Sequence, residues 1–264
     1  MLDPTSFFTM ERHVTDSDVD LVRRQKLSSM FMMFQDIAAL HAANLGAAVD
    51  WLHEEMNVAW ILMRVRVEID HYPMLAQDVL VETWPQDPRP LYERDYVIRD
   101  TEGNILVRAA STWVIVDLGT RDIKRDKFLD YFGLEMNKDR ALGKSLGRIK
   151  SVEKADHIYA KEVKFSDVDY NIHVNNAKYV DFIMDCFSFE EHRTRDINAI
   201  EVNYINEIGP GETFILRRKE IREGVEYIDG IRKSDRAYVF NALVEWGEKG
   251  DLQVLKNGEK RNGK

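Results

Sequence analysis

Asp169, Asn171 and His173 are the residues whose types and spacing best suit chemistry in this chain. They alternate within Asp167-Val-Asp-Tyr-Asn-Ile-His-Val-Asn-Asn-Ala-Lys-Tyr179, the pattern of side chains on one face of an extended segment. The segment leads into a helix expected to begin near Asn175 or Asn176, both good capping residues. A helix N-terminus offers unpaired N–H groups and a partial positive charge, which stabilise the oxyanion of a tetrahedral intermediate. A neutral imidazole, with a reference pKa of about 6.5, relays a proton beside it. An amide such as that of Asn171 holds a water or a carbonyl without titrating. The same residues also fit a plain structural role, with Asp169 and Asn175 capping the helix and Asn171 and His173 completing a turn.

The chain repeats itself around this segment. Ser17-Asp18-Val19-Asp20 returns letter for letter as Ser166-Asp167-Val168-Asp169, and Asp36 and Asp185 keep the same offset. Each copy ends a short extended segment and precedes an amphipathic helix. In the first helix Leu27, Met30, Phe31, Phe34, Ala38, His41 and Leu45 form the apolar stripe; in the second Ala177, Val180, Ile183, Met184 and Phe187 do so. Strand-like runs follow at 58–69, 79–84, 91–99 and 105–116, then at 197–205, 213–218, 225–231 and 237–246, several parted by turn residues.

A long helix followed by consecutive antiparallel strands, twice over, predicts an α+β protein of two fused hotdog domains, each a sheet wrapped around a central helix. The expected division is a first domain at 1–134, a linker at 135–154, a second domain at 155–248 and a disordered tail at 249–264. At the repeat offset the counterparts of Asn171 and His173 are Val22 and Arg24, so one site is expected per chain rather than two. The first helix, with Met30, Phe31, Met33 and Phe34, is then free to line an apolar tunnel, and the same residues equally fit an ordinary core stripe.

The segment from Asp169 to Tyr179 resembles the acyl-acyl carrier protein thioesterase family, whose second hotdog carries Asp-x-Asn-x-His-Val-Asn-Asn-x-Lys-Tyr. The resemblance continues in the first half at Asn57-Val-Ala-Trp60 with Arg64, Tyr72-Pro73, Glu82-Thr83-Trp84, Arg94-Asp95-Tyr96 and Ser111-Thr-Trp113, ending at Asp117 with Arg121. It implies hydrolysis of fatty acyl-acyl carrier protein with Asp169, Asn171, His173 and Glu207 as catalytic residues and no cofactor or metal. Met30, Phe31, Phe34 and Trp60 are the expected acyl-lining residues, and Asn175 and Asn176 the expected substrate contacts at the helix start. The family often places a cysteine after the glutamate; Ile208 stands there, so direct attack by water is expected, with His173 and Glu207 sharing the general-base role. Cys186 lies elsewhere in the pattern and reads as a small buried residue.

The chain has 264 residues, 44% of them hydrophobic and 31% charged, the composition of a soluble globular protein. Its net charge of −9 argues against broad nucleic-acid binding. No run of apolar residues is long enough for a spanning helix, and the first ten residues lack the pattern of a signal or transit peptide, so a cytoplasmic location is expected. Between Arg121 and Lys154 ten Lys/Arg stand against six Asp/Glu, a run that reads as a solvated loop or, as the functional alternative, a docking surface for an acidic carrier protein. A monomer suffices for a fused pair, and a homodimer is compatible. The alternatives are an acyl-CoA thioesterase and a non-catalytic acyl-binding hotdog module.

Overall fold

The computed structural model describes residues 5–87, 91–124 and 136–248. The expected tail and the first part of the basic run lie partly or wholly outside these residues. In the first half β1 (Phe8–His13) precedes α1 (Leu27–Asn44), α2 (Val49–Met56), β2 (Val58–Ile69), β3 (Asp78–Pro85), β4 (Tyr92–Asp100) and β5 (Ile105–Asp117). The second half runs β6 (Asp156–Glu162), α3 (Asn176–Met184), α4 (Phe189–Thr194), β7 (Arg195–Tyr204), β8 (Thr213–Arg222), β9 (Val225–Arg232) and β10 (Tyr238–Glu248). The strand positions agree with the periodicity. The two short helices α2 and α4 were not expected, since each is too brief to carry a readable stripe.

All ten strands form one antiparallel sheet in the order β1-β3-β4-β5-β2-β7-β10-β9-β8-β6. The halves meet at β2 and β7, paired from Arg64↔Asn203 to Glu68↔Ala199. Apolar side chains on one face of these strands, such as Val65, Val67, Ile200, Val202, Ala242 and Val244, join the stripes of α1 and α3 in a single core. This is the hotdog arrangement, with both central helices on the same face of a continuous sheet.

Sequence sets the ends of α1. Its C-terminus closes with Gly46 at φ 72°, where Gly46 N–H donates to the Ala43 carbonyl at 3.1 Å and Ala47 N–H to the Ala42 carbonyl at 2.8 Å. That left-handed stop is one glycine adopts without strain. The second helix is half as long: α3 ends at Met184, and Phe187 reaches the core from the turn beyond it. Around α3, Tyr179 packs against Phe240, Tyr204, Phe182 and Phe214 with ring centroids 5.4–6.3 Å apart. Gly230 makes room for this cluster, because a Cβ there would lie 2.5 Å from the Phe240 ring.

One buried polar pair ties α1 to the sheet. Arg94 Nη1 can only donate, so its 2.9 Å contact makes His41 Nδ1 the acceptor. The proton of the neutral ring therefore sits on Nε2, which donates to the Thr5 carbonyl at 2.7 Å. Burial first, and then the Arg94 charge, lower the His41 pKa from 6.5 to about 4. The unfolded chain takes up this proton near pH 6.5 and the folded protein only near pH 4, so stability falls as pH drops through that window. The expected loss is up to about 3 kcal/mol, readable as urea unfolding midpoints at pH 7 and pH 4. His41→Gln, which keeps an acceptor for Arg94, is expected to flatten the slope.

Candidate active site

The repeat is structural down to single hydrogen bonds. Short 3-10 turns occupy Asp16–Asp18 and Phe165–Asp167, and the bridges Val19↔Gln25 and Val168↔Val174 close the two loops alike. Asp20 and Asp169 N–H donate to the carbonyls of Arg24 and His173, at 2.8 and 3.0 Å. Arg23 and Ile172 both lie at positive φ, 67° and 64°. For a β-branched residue such as Ile172 that conformation is strained, and strain of this kind concentrates at functional sites.

This geometry corrects the expectation of an extended segment. Residues 169–173 form a tight turn, because Asp169 spends its groups on the local backbone. Asp169 Oδ1 accepts from Asn171 N–H at 2.9 Å, and the Asp169 carbonyl accepts from Ile172 N–H at 3.0 Å. The turn exposes Tyr170, Asn171 and Ile172 to solvent. His173 follows and is half-exposed. Its Nε2 lies 3.4 Å from Glu207 Oε2, with 43% and 45% of the two side chains accessible.

Glu207 sits on the connection after β7. Ile205 and Asn206 N–H both donate to the Val239 carbonyl, Arg232 donates to the Glu207 carbonyl, and the buried Ile208 anchors the far side. The Ile208 carbonyl in turn accepts from Val174 N–H at 3.4 Å, which couples the glutamate's connection to the histidine's loop. Asn175 caps α3, its Oδ1 accepting from Ala177 N–H at 2.9 Å. Asn175→Ala is expected to cost about 1 kcal/mol of stability in chemical denaturation, and Asn175→Ser to recover most of it. Asn176 opens the helix and its carbonyl accepts from Tyr204 Oη at 3.0 Å. Asp169, Asn171, His173, Asn175, Asn176 and Glu207 thus lie on two hydrogen-bonded segments around one helix N-terminus.

Among the described residues the first half holds no equivalent. At the position of His173, Arg24 bonds Asp20 and Asp196, donates to the His192 carbonyl at 3.0 Å and lies over the Tyr72 ring. The groups that would form a second site instead clasp the halves together.

A cleft along α1 is lined by Gln35, Ala38, Ala39 and Ala42 with Ala47, Val49, Trp60, Pro85, Tyr92, Glu93, Arg94 and Trp113. Trp60 meets Tyr92 edge-on at 4.9 Å and Trp113 at 6.4 Å. Trp60 lies in this cleft. Met30, Phe31 and Phe34 do not line this cleft: they are buried, 0–3% exposed, and Phe34 packs on Tyr96. Their bulk fills the core, whereas the alanines of the next turns leave space. The run Ala-Ala-Leu-His-Ala-Ala-Asn-Leu-Gly-Ala-Ala at 38–48 carried that signal in the sequence. The antiparallel β2–β7 register places the end of β7 that leads to Glu207 beside the end of β2 that carries Trp60.

A larger cavity lies on the opposite face of the sheet. Lys144, Arg148 and Lys150 line it with Glu201, Tyr227 and Leu243, whose side chains alternate with those in the core. Elsewhere in the basic run Arg140 pairs with Glu93 at 2.7 Å and Lys124 with Asp117 at 2.8 Å. Among the described residues no cluster of His, Cys, Asp and Glu could hold a metal ion, and no helix is long and apolar enough to cross a membrane.

Residues 5–127 match the model of the acyl-ACP thioesterase N-terminal domain, and residues 150–248 that of the C-terminal domain. The chain belongs to the acyl-ACP thioesterase family. A chloroplastic acyl-[acyl-carrier-protein] hydrolase of Cuphea viscosissima is 24% identical over 247 residues, 87% of this chain and 57% of that protein. A chloroplastic palmitoyl-acyl carrier protein thioesterase of Arabidopsis thaliana is 24% identical over 269 residues, 92% of this chain and 64% of its own length. The chain therefore spans about six-tenths of these relatives. An acyl-ACP thioesterase structure from Bacteroides thetaiotaomicron superimposes with a TM-score of 0.85 at 23% identity, over 92% of this chain and 98% of that one. The 12:0-ACP thioesterase of Umbellularia californica gives 0.80 at 21% identity, with 92% and 98% covered. At these identities the likeness establishes the fold, which is the fused double hotdog.

Proposed function

We propose that this acyl-ACP thioesterase family member hydrolyses the thioester of fatty acyl-acyl carrier protein, releasing free fatty acid through water activated at His173 and Glu207. The observation that carries this reading is the approach of His173 Nε2 to Glu207 Oε2, 3.4 Å, at a solvent-accessible helix N-terminus. A water held between imidazole and carboxylate attacks the thioester carbon as its proton passes to one of them. The C–S bond breaks when the tetrahedral intermediate collapses, and the proton returns to the leaving thiolate. Asn171 positions the water or the carbonyl, and Asp169 fixes the turn through the Asn171 N–H. The start of α3, at Asn175 and Asn176, stabilises the oxyanion.

A cysteine nucleophile has no support. Ile208 occupies the position where the family often has one, and burial pushes the Cys186 thiol up to about 12, leaving little thiolate at neutral pH. The acyl chain runs past Trp60 into the cleft along α1, dividing labour between the halves. Exposed basic groups within residues 121–154, among them Lys144, Arg148 and Lys150, act by long-range attraction of an acidic carrier rather than by contact beside the thioester. A cytoplasmic location, and action as a monomer or homodimer, belong to the same proposal; the single cysteine suits a reducing compartment.

The deciding experiment is thiol release from one acyl chain carried in turn by acyl carrier protein and by coenzyme A. Faster turnover on the carrier protein is the expected result. Turnover of the CoA ester alone would move the protein to the CoA thioesterases, and none with either would leave an acyl-binding module.

A further inference from the structure

The connection that carries Glu207 has a twin in the first half, bond for bond. Ile205 and Asn206 N–H donate to the Val239 carbonyl, and Asp70 and His71 N–H to that of Leu106, all at 2.9–3.0 Å. Val174 N–H donates to the Ile208 carbonyl at 3.4 Å, as Gln25 N–H does to that of Pro73 at 2.8 Å. Gly209 N–H donates to Glu212 Oε2 at 2.7 Å, and Met74 N–H to Gln77 Oε1 at 3.0 Å. These frames correspond residue for residue. Tyr72 is therefore the counterpart of Glu207, as Arg24 is of His173.

What differs is the side chain at the end of the neighbouring strand. Arg232 closes β9, and its pairing with Phe214 matches that of Asp100 with Val79, so Asp100 at the end of β4 is its counterpart. The Asp100 carboxylate serves its own turn, accepting from Glu102 N–H at 3.0 Å, Asn104 N–H at 2.8 Å and Asn104 Nδ2 at 2.9 Å. Arg232 reaches across to the β7–β8 connection instead. Its Nη2 donates to the Glu207 carbonyl, its Nη1 to Asp235 at 2.9 Å, and its Nε lies 3.5 Å from Glu212 Oε1. The side chain is 18% exposed. Glu212, which also anchors Gly209, stands where the first half has the neutral Gln77. A planar guanidinium paired with carboxylates on two sides keeps its fork fixed, and the remaining donor grips the backbone of Glu207.

We propose that Arg232 is the positioning residue of the His173–Glu207 pair: through the Glu207 carbonyl it keeps the Glu207 carboxylate facing His173. The inference rests on the reading of these two residues as the water-activating pair. Arg232 acts on the reaction through Glu207, not on the substrate, so its loss lowers turnover and leaves substrate affinity alone. The half that has Tyr72 in place of the glutamate has an aspartate in place of the arginine, and the two positions change together.

The test measures kcat and KM on a carrier-bound acyl substrate for Arg232→Met and Arg232→Lys, each alone and combined with Glu207→Gln. Arg232→Met is expected to lower kcat by about 10–10²-fold, the scale of a small misplacement of a reacting group, with KM nearly unchanged. Arg232→Lys, a point donor without the fork, should recover part of the loss. In the Glu207→Gln background Arg232→Met should cost little more, because a residue that acts through the carboxylate has nothing left to place. Equal losses in both backgrounds, a change confined to KM, or full kcat in a folded Arg232→Met would each overturn the proposal. Arg232→Gln takes over if the methionine variant does not fold. Full kcat in Glu207→Gln, or a wild type that hydrolyses nothing, would sink the water-activation reading instead. Crystal structures of wild type and Arg232→Met then decide the positioning role by themselves: a Glu207 carboxylate that leaves His173 supports it, and one that stays overturns it.

Discussion

His173→Ala and Glu207→Gln are each expected to lower kcat for carrier-bound substrate by about 10²–10⁴-fold, the usual contribution of a positioned general base. Both side chains are nearly half accessible, and neither belongs to the core, so the variants should fold like the wild type. The double variant should fall little below the worse single one, because groups that act on one water are not additive. Purified proteins with matched circular dichroism and thiol-release rates decide the matter. If either variant keeps more than about a tenth of wild-type kcat, that residue is not the base, and a water path through Asn171 alone would have to be sought.

The second large effect concerns stability. Arg24→Ala is expected to destabilise the fold by about 3–5 kcal/mol, the cost of leaving a buried charge without its counter-ion. The guanidinium is 11% exposed and lies between Asp20 and the 9%-exposed carboxylate of Asp196, which belong to different halves. Arg24→Met, which keeps the stem against Tyr72, should recover only the packing share. Equilibrium unfolding in urea gives both values. A loss below about 1 kcal/mol would put this cluster with ordinary surface ion pairs.

Much of this could be read from residues. The strand periods and the SDVD repeat gave the two halves, because alternation and amphipathic stripes are local properties. Glu207 was legible only through a family pattern: it lies 34 positions from His173, and nothing in spacing says that the connection after β7 folds back on the loop before α3. The turn at 169–173 was misread as extended because Asx hydrogen bonding mimics alternation in sequence and is settled by backbone geometry. The alanine-lined cleft was not legible for a different reason. Large side chains such as Phe31 and Phe34 draw attention, yet a cleft forms where side chains are small, and Ala38, Ala39 and Ala42 are inconspicuous.

The five-residue ladder between β2 and β7 has a consequence for behaviour in dilute solution. Were the halves separate chains, this seam would be an association equilibrium, and the proposed site, with its cleft in one half and its dyad in the other, would fall apart below its dissociation constant. Covalent continuity turns that encounter into an intramolecular one, at an effective concentration of the order of millimolar. Specific activity should therefore stay constant on dilution to levels at which a two-chain site would be lost.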